Sequence, residues 1–159
     1  MAQGNLAKWL KFIILGVGAC ALFVYAAILP MVGGNAAAKY PEFAYCYRPW
    51  LWFLWSTGLP VLLALGLGMK IASNIGADRS FSKDNARLLK WISWLAAGDS
   101  GYFFIGNIVL LALGMSHPGI TLISFLVVFL GVAVTVAAAA LSHLVLKAAD
   151  LEQQSELTI

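Results

Sequence analysis

The sequence predicts an all-α integral membrane protein, with four transmembrane helices in a bundle and both termini in the cytoplasm. Three observations carry this. The 159 residues are 62% hydrophobic and only 11% charged, about half the charged share of a soluble domain. The apolar residues fall in four long runs, each able to cross a hydrocarbon core of about 30 Å. The basic residues are also unevenly placed. Lys8, Lys11, Lys70, Arg79, Lys83, Arg87, Lys90 and Lys147 fall on one side of the four runs, and only Lys39 and Arg48 on the other. The positive-inside rule puts the first set in the cytoplasm.

The first run spans about residues 12–32, after a short polar start in which Lys8 and Lys11 flank Trp9. A positive start and the small residues Ala36–Ala38 loosely fit a signal peptide. The apolar stretch is longer than such a peptide needs, so a retained helix is the better reading. Pro30, Gly33 and Gly34 are expected to end it. An outer loop follows, with the aromatic cluster Tyr40, Phe43, Tyr45, Tyr47, Trp50, Trp52, Phe53 and Trp55. Rings with a polar edge collect at the membrane–water boundary, so an interfacial belt is expected.

The second run covers about 50–72. Pro60 is expected to loosen one turn, with Ser56 and Thr57 placed to satisfy freed backbone groups. A cytoplasmic loop over 73–87 follows. Ser82 is a good helix N-cap, and Asp84 sits in the first turn, where the helix dipole favours an anion. The third run covers about 88–115. Ser116–Gly119 make a tight turn, and the fourth run covers about 120–147, longer than a membrane needs. Residues 148–159 form a cytoplasmic tail carrying Asp150, Glu152 and Glu156. The segment from Lys70 to Lys90 has five basic and two acidic residues. Loop and tail are therefore expected to touch, although exposed ion pairs are worth only about 0–1 kcal/mol each.

Asp99 is the one ionisable residue inside a run, eight residues past Trp91 and so about 12 Å into the core. An intramembrane acid is a functional hypothesis by default. Thr135 falls at a similar depth and is the expected hydrogen-bond partner, with Asn107 extending a polar seam. The structural alternative is a hydrogen bond that locks the third helix into the bundle. Small residues at Gly16, Gly18 and Cys20, and at Gly131, Thr135 and Ala139, have helix-packing spacing. The two histidines, His117 and His143, lie at opposite faces and cannot share a metal or haem. Cys20 and Cys46 form no CxxC pair or Cys/His cluster. No phosphate loop or nucleophile–base set is present. A non-enzymatic protein without a metal or cofactor is expected.

The pattern FSKDNARLLKWIS, following a hydrophobic hairpin, and the ending LEQQSELTI resemble the domain-of-unknown-function family 2975. These are small four-span proteins of the bacterial inner membrane. Such proteins have a Phe-Ser-x-x-Asn-x-x-x-Leu run before the third span, matched by Phe81, Ser82, Asn85 and Leu89. Many end in Leu-Thr-Ile, matched by Leu157, Thr158 and Ile159, with Glu156 where an Asp is common. The resemblance implies a membrane partner of a cytoplasmic transcriptional regulator of helix-turn-helix type, with no nucleic acid bound directly. Arg79, Phe81, Ser82, Lys83, Asn85, Arg87, Leu157 and Ile159 are then the expected docking residues. The alternatives are an accessory subunit of a larger membrane complex, and a small transporter or channel subunit using Asp99.

Overall fold

A computed structural model of the chain describes residues 3–156, without the side chains of the first and last of these. It is all helical: α1 (Gln3–Phe23), a π-helical turn (Val24–Ile28), α2 (Leu29–Lys39), a 3-10 segment (Pro41–Cys46), α3 (Tyr47–Gly76), α4 (Lys83–Ala112) and α5 (Pro118–Glu156). Four continuous helical stretches are long and apolar enough to cross a membrane: Gly4–Lys39, Pro41–Gly76, Lys83–Ala112 and Pro118–Ser155.

The helices pack in chain order. Among the described residues α1 lies on α3, α3 on α4 and α4 on α5, while α1 meets neither α4 nor α5, and α3 does not meet α5. Each pair is antiparallel. Gly76 lies against Ala7, Gly68 against Ile14 and Gly18 against Leu65. Asn74 pairs with Asn85, and Ser56 with Tyr102. The charged ends of all four stretches therefore gather at one end of the molecule, and the aromatic segment and His117 at the other.

Pro30 does not end the first helix, contrary to expectation; the helix runs on to Lys39. Proline has no N–H to give the carbonyl four residues back. The backbone answers with a π turn, in which Leu29 N–H donates to Val24 O. In that register Tyr25 O would take its bond from residue 30, which is the proline. Trp55 Nε1 supplies the missing donor at 2.9 Å. Tyr25 OH also pairs with Thr57 Oγ1 at 3.0 Å, and Tyr47 OH donates to Pro30 O at 3.3 Å. Nor does Gly33 end the helix. Tyr47 and Trp50 press on it so closely that a Cβ there would sit 2.7 Å from Tyr47 Cε2.

The aromatic segment thus divides. Tyr40, Phe43, Tyr45 and Trp52 are exposed as a belt should be. Tyr47, Trp50 and Trp55 instead hold α1 and α2 onto α3. Phe53 stacks on Phe103 of α4, with ring centroids 5.9 Å apart, over Gly106, where a Cβ would overlap its ring.

The α4–α5 seam is built from small and hydroxylated residues. Ser93 Oγ donates to Thr135 O at 2.9 Å and Ser142 Oγ to Ala86 O at 2.6 Å. Ser100 fills the space over Gly131, where a Cβ would overlap Ser100 Oγ. Ala138, not Ala139, is the buried alanine of this stripe. Cys20 is exposed and takes no part in the α1 seam. Helices in lipid gain little by burying leucine against leucine, so close approach and hydrogen bonds to carbonyls hold them instead.

Pro60 stays inside α3. Ser56 Oγ donates to Phe53 O and Thr57 Oγ1 to Leu54 O, each three residues back on the helix. The last turn, 113–117, closes on Gly114 at φ +68°. Met115 N–H donates to Leu110 O and Gly114 N–H to Leu111 O, which is a Schellman termination. His117 then starts α5: its Nδ1 accepts from Gly119 N–H at 3.0 Å and its carbonyl from Ile120 and Thr121.

Candidate functional site

The charged end is shaped by the six-residue connection 77–82 between α3 and α4, shorter than the 73–87 loop expected. It opens with a second Schellman termination. Arg79 N–H donates to Asn74 O and Asp78 N–H to Ile75 O, with Asp78 at φ 62°, a conformation that favours glycine. It closes on Ser82, which is extended and whose hydroxyl accepts from Asn85 N–H at 3.2 Å. Ser82 is the expected N-cap.

Asn85 ties the connection together. It is 1% exposed. Its Nδ2 donates to Arg79 O at 3.0 Å and Ser80 O at 3.1 Å, while its Oδ1 accepts from Asn74 Nδ2 at 2.7 Å. Asn85 is therefore corrected as a docking residue: it is spent inside the loop and cannot meet a partner. Phe81 is held the other way, 59% exposed. Arg79, Lys83 and Arg87 are exposed beside it.

The end of α5 reaches this connection. Lys83 Nζ lies 3.3 Å from Asp150 Oδ1, so loop and tail meet as expected. Phe81, Ser82 and Lys83 face Ala149, Glu152 and Gln153 across a shallow notch. It carries an aromatic ring, a cation and an acid side by side, with backbone set by Asn85. Leu157 and Ile159, also expected to dock, lie outside the described residues.

The intramembrane polar residues do not form one seam. Thr135 Oγ1 donates to Gly131 O on its own helix at 2.9 Å, and Asn107 Nδ2 to Phe103 O on its own at 2.8 Å. Asp99 Oδ1 is buried without a hydrogen-bond partner. The expected Asp99–Thr135 pair is corrected for a geometric reason. Ala86, Ser93 and Ser100 mark the line of α4 that meets α5, whereas Asp99 shares its heptad line with Asn85 and Gly106, which meet α3. Among the described residues no three His, Cys, Asp or Glu side chains come together where they would hold a metal ion.

The family model described as "Protein of unknown function (DUF2975)" matches residues 31–159. The chain belongs to the DUF2975 family. It is also similar to the uncharacterized membrane protein YoaS of Bacillus subtilis (strain 168), at 28% identity over 152 residues, 94% of each chain. No solved structure matches. This DUF2975 chain is thus an all-helical membrane protein with four candidate spans, and neither comparison points to catalysis. The match begins at Met31 and takes in the charged connection, the notch and α5, leaving α1 outside.

Within that match, the residues that signalled the family have structural work. Ser82 caps α4 and Asn85 closes the connection; of the four matched residues Phe81, Ser82, Asn85 and Leu89, Phe81 alone is left largely exposed. Sequence reasoning missed Asn74, Asp78, Tyr25 and Trp55. Asn74 and Asp78 flank the glycine-ended helix as termination residues do. Trp55 had no such signal, because its acceptor lies 30 residues away in sequence.

Proposed function

We propose that this is a non-enzymatic protein of the bacterial inner membrane, whose charged end lies in the cytoplasm and docks a soluble regulator. The orientation rests on the positive-inside bias, eight basic residues against two. The helix-turn-helix class of the regulator rests on the family resemblance. The observation that carries the reading is the notch. A large aromatic ring is left out in solvent beside Arg79, Lys83 and Arg87, on a connection whose backbone Asn85 holds rigid. Solvated charge needs no such clamp, and a pre-set surface loses less entropy on binding.

Photo-crosslinking from a residue in the notch of the full chain, in its own membranes, tests this. A soluble helix-turn-helix protein should be captured by the wild type and lost with Phe81→Ala and Arg87→Ala, while insertion stays intact. Crosslinks to lipid alone, unchanged by either substitution, would refute the docking reading and leave the basic end as a lipid contact.

A further inference from the structure

Asp99 carries an inference independent of the charged end. Interpolating between the Asn74–Asn85 and Ser56–Tyr102 contacts places it level with Pro60 of α3. That is the middle of the span, about ten residues from either end of a run of about 20. A carboxyl at that depth is costly unless it is paired or faces water. Its Oδ1 is buried without a partner, and the residue as a whole is only half-buried. Thr135, the nearest candidate by depth, has both its hydroxyl and its carbonyl engaged elsewhere.

The chain holds no base to complete it. All ten Lys and Arg residues lie toward the ends of the helical stretches or between them, none at the depth of Asp99. A second copy would bring another acid to the same depth, not a cation. A free metal ion would need several oxygen ligands, and no cluster of three acids, histidines or cysteines exists among the described residues. The surface around Asp99 is only partly roofed. α3 and α5 do not meet, and Ile92, Ala96 and Asp99 keep partial exposure along α4, one turn before Phe53 of α3 covers Phe103. The strip is apolar except for one acid at mid-depth, and a helix fits it if that helix is apolar except for one cation.

We propose that α4, at Asp99, is the docking site for a transmembrane helix of another protein that carries a Lys or Arg at mid-membrane depth. The acid and base neutralise each other where neither chain has an internal partner, and the apolar strip sets the helix against α4.

The test uses the full chain, fluorescently labelled at its C-terminus, in phosphatidylcholine vesicles. The probes are two acceptor-labelled Leu/Ala helices that differ only in a central Lys or Leu. Energy transfer should show about tenfold tighter association with the Lys helix, the size of a good polar contact between helices in lipid. Asp99→Asn should remove the preference. The wild-type comparison of the two helices stands even if that variant fails to fold. Equal association of both helices with the wild type overturns the proposal. So does a preference for Lys that survives Asp99→Asn. Asp99-dependent energy transfer between two copies of the protein, with no probe helix added, overturns it in favour of self-association.

Discussion

Replacing Asn85 with alanine removes three side-chain hydrogen bonds, to Arg79 O, Ser80 O and Asn74 Nδ2. Each is worth about 1 kcal/mol net. The two carbonyls are at the surface end and regain water, so the loss stays near the sum of the bonds, about 2–3 kcal/mol. The α3–α4 connection should bear this loss, because the α1–α3 and α4–α5 seams do not involve Asn85. Local opening governs cleavage when closing is fast. Trypsin cutting at Arg79 and Lys83, in membranes or vesicles, should therefore speed up by about 30- to 150-fold at 1.4 kcal/mol per tenfold. Thermal unfolding, followed by thiol-dye labelling of the buried Cys46 in a Cys20→Ser background, should shift far less. Asn85→Asp should be worse at neutral pH, because a carboxylate would face the carbonyls of Arg79 and Ser80. If Asn85→Ala is cut within about threefold of the wild-type rate, the clamp is not what orders the connection.

Gly131→Ala should destabilise the α4–α5 seam, because its Cβ overlaps Ser100 Oγ; adding Ser100→Gly should recover most of the lost thermal stability in detergent. Trp55→Phe keeps the ring but leaves Tyr25 O without a donor, and should cost about 1–3 kcal/mol by the same thermal assay. Asp78→Gly should raise stability by up to about 1 kcal/mol, since a non-glycine residue now holds φ 62°. Lys83→Ala should leave the melting temperature within error, because the Lys83–Asp150 pair is exposed on both sides and worth about 0–1 kcal/mol.

The four-span architecture was legible because apolar runs of that length have one physical solution in a short chain. The Ser82 cap was legible because capping is local chemistry between a hydroxyl and the next turn. The loop–tail meeting followed from charge and from an α5 too long for the membrane. The rest depended on groups distant in sequence. Pro30 reads as a helix end until Trp55 is known to reach the carbonyl it strands. Asn85 reads as a polar loop residue until Asn74 is placed across from it. Depth alone paired Asp99 with Thr135, but depth does not say which side of a helix faces which neighbour. The heptad Ala86, Ser93, Ser100 and Asn107 does carry that information. Its small and polar residues mark the α5-facing line and put Asp99 on the next one.

That heptad shows where structural information lies in this chain. The buried polar residues are Thr57, Asn85, Ser93, Ser100, Asn107, Thr121 and Ser124, and most of the buried apolar ones are alanines, while leucines, valines and phenylalanines dominate the exposed set. A soluble protein has the reverse pattern, because water drives its large apolar side chains inward. Lipid removes that drive, and the apolar runs then specify only that the helices lie in the membrane. The choice of neighbour falls to small residues that let backbones approach and to hydroxyls and amides that find a carbonyl. Ser56, Thr57, Ser93 and Ser142 find partners on a neighbouring helix, while Ser100 and Asn107 bond carbonyls of their own helix. Thr121 Oγ1 and Asp99 Oδ1 find none among the described residues, and Asp99, on a seam line of α4, has the stronger need because its group is an acid. Asp99 as a whole keeps partial exposure, and it is from that open side of the carboxyl that a second protein should complete the fold.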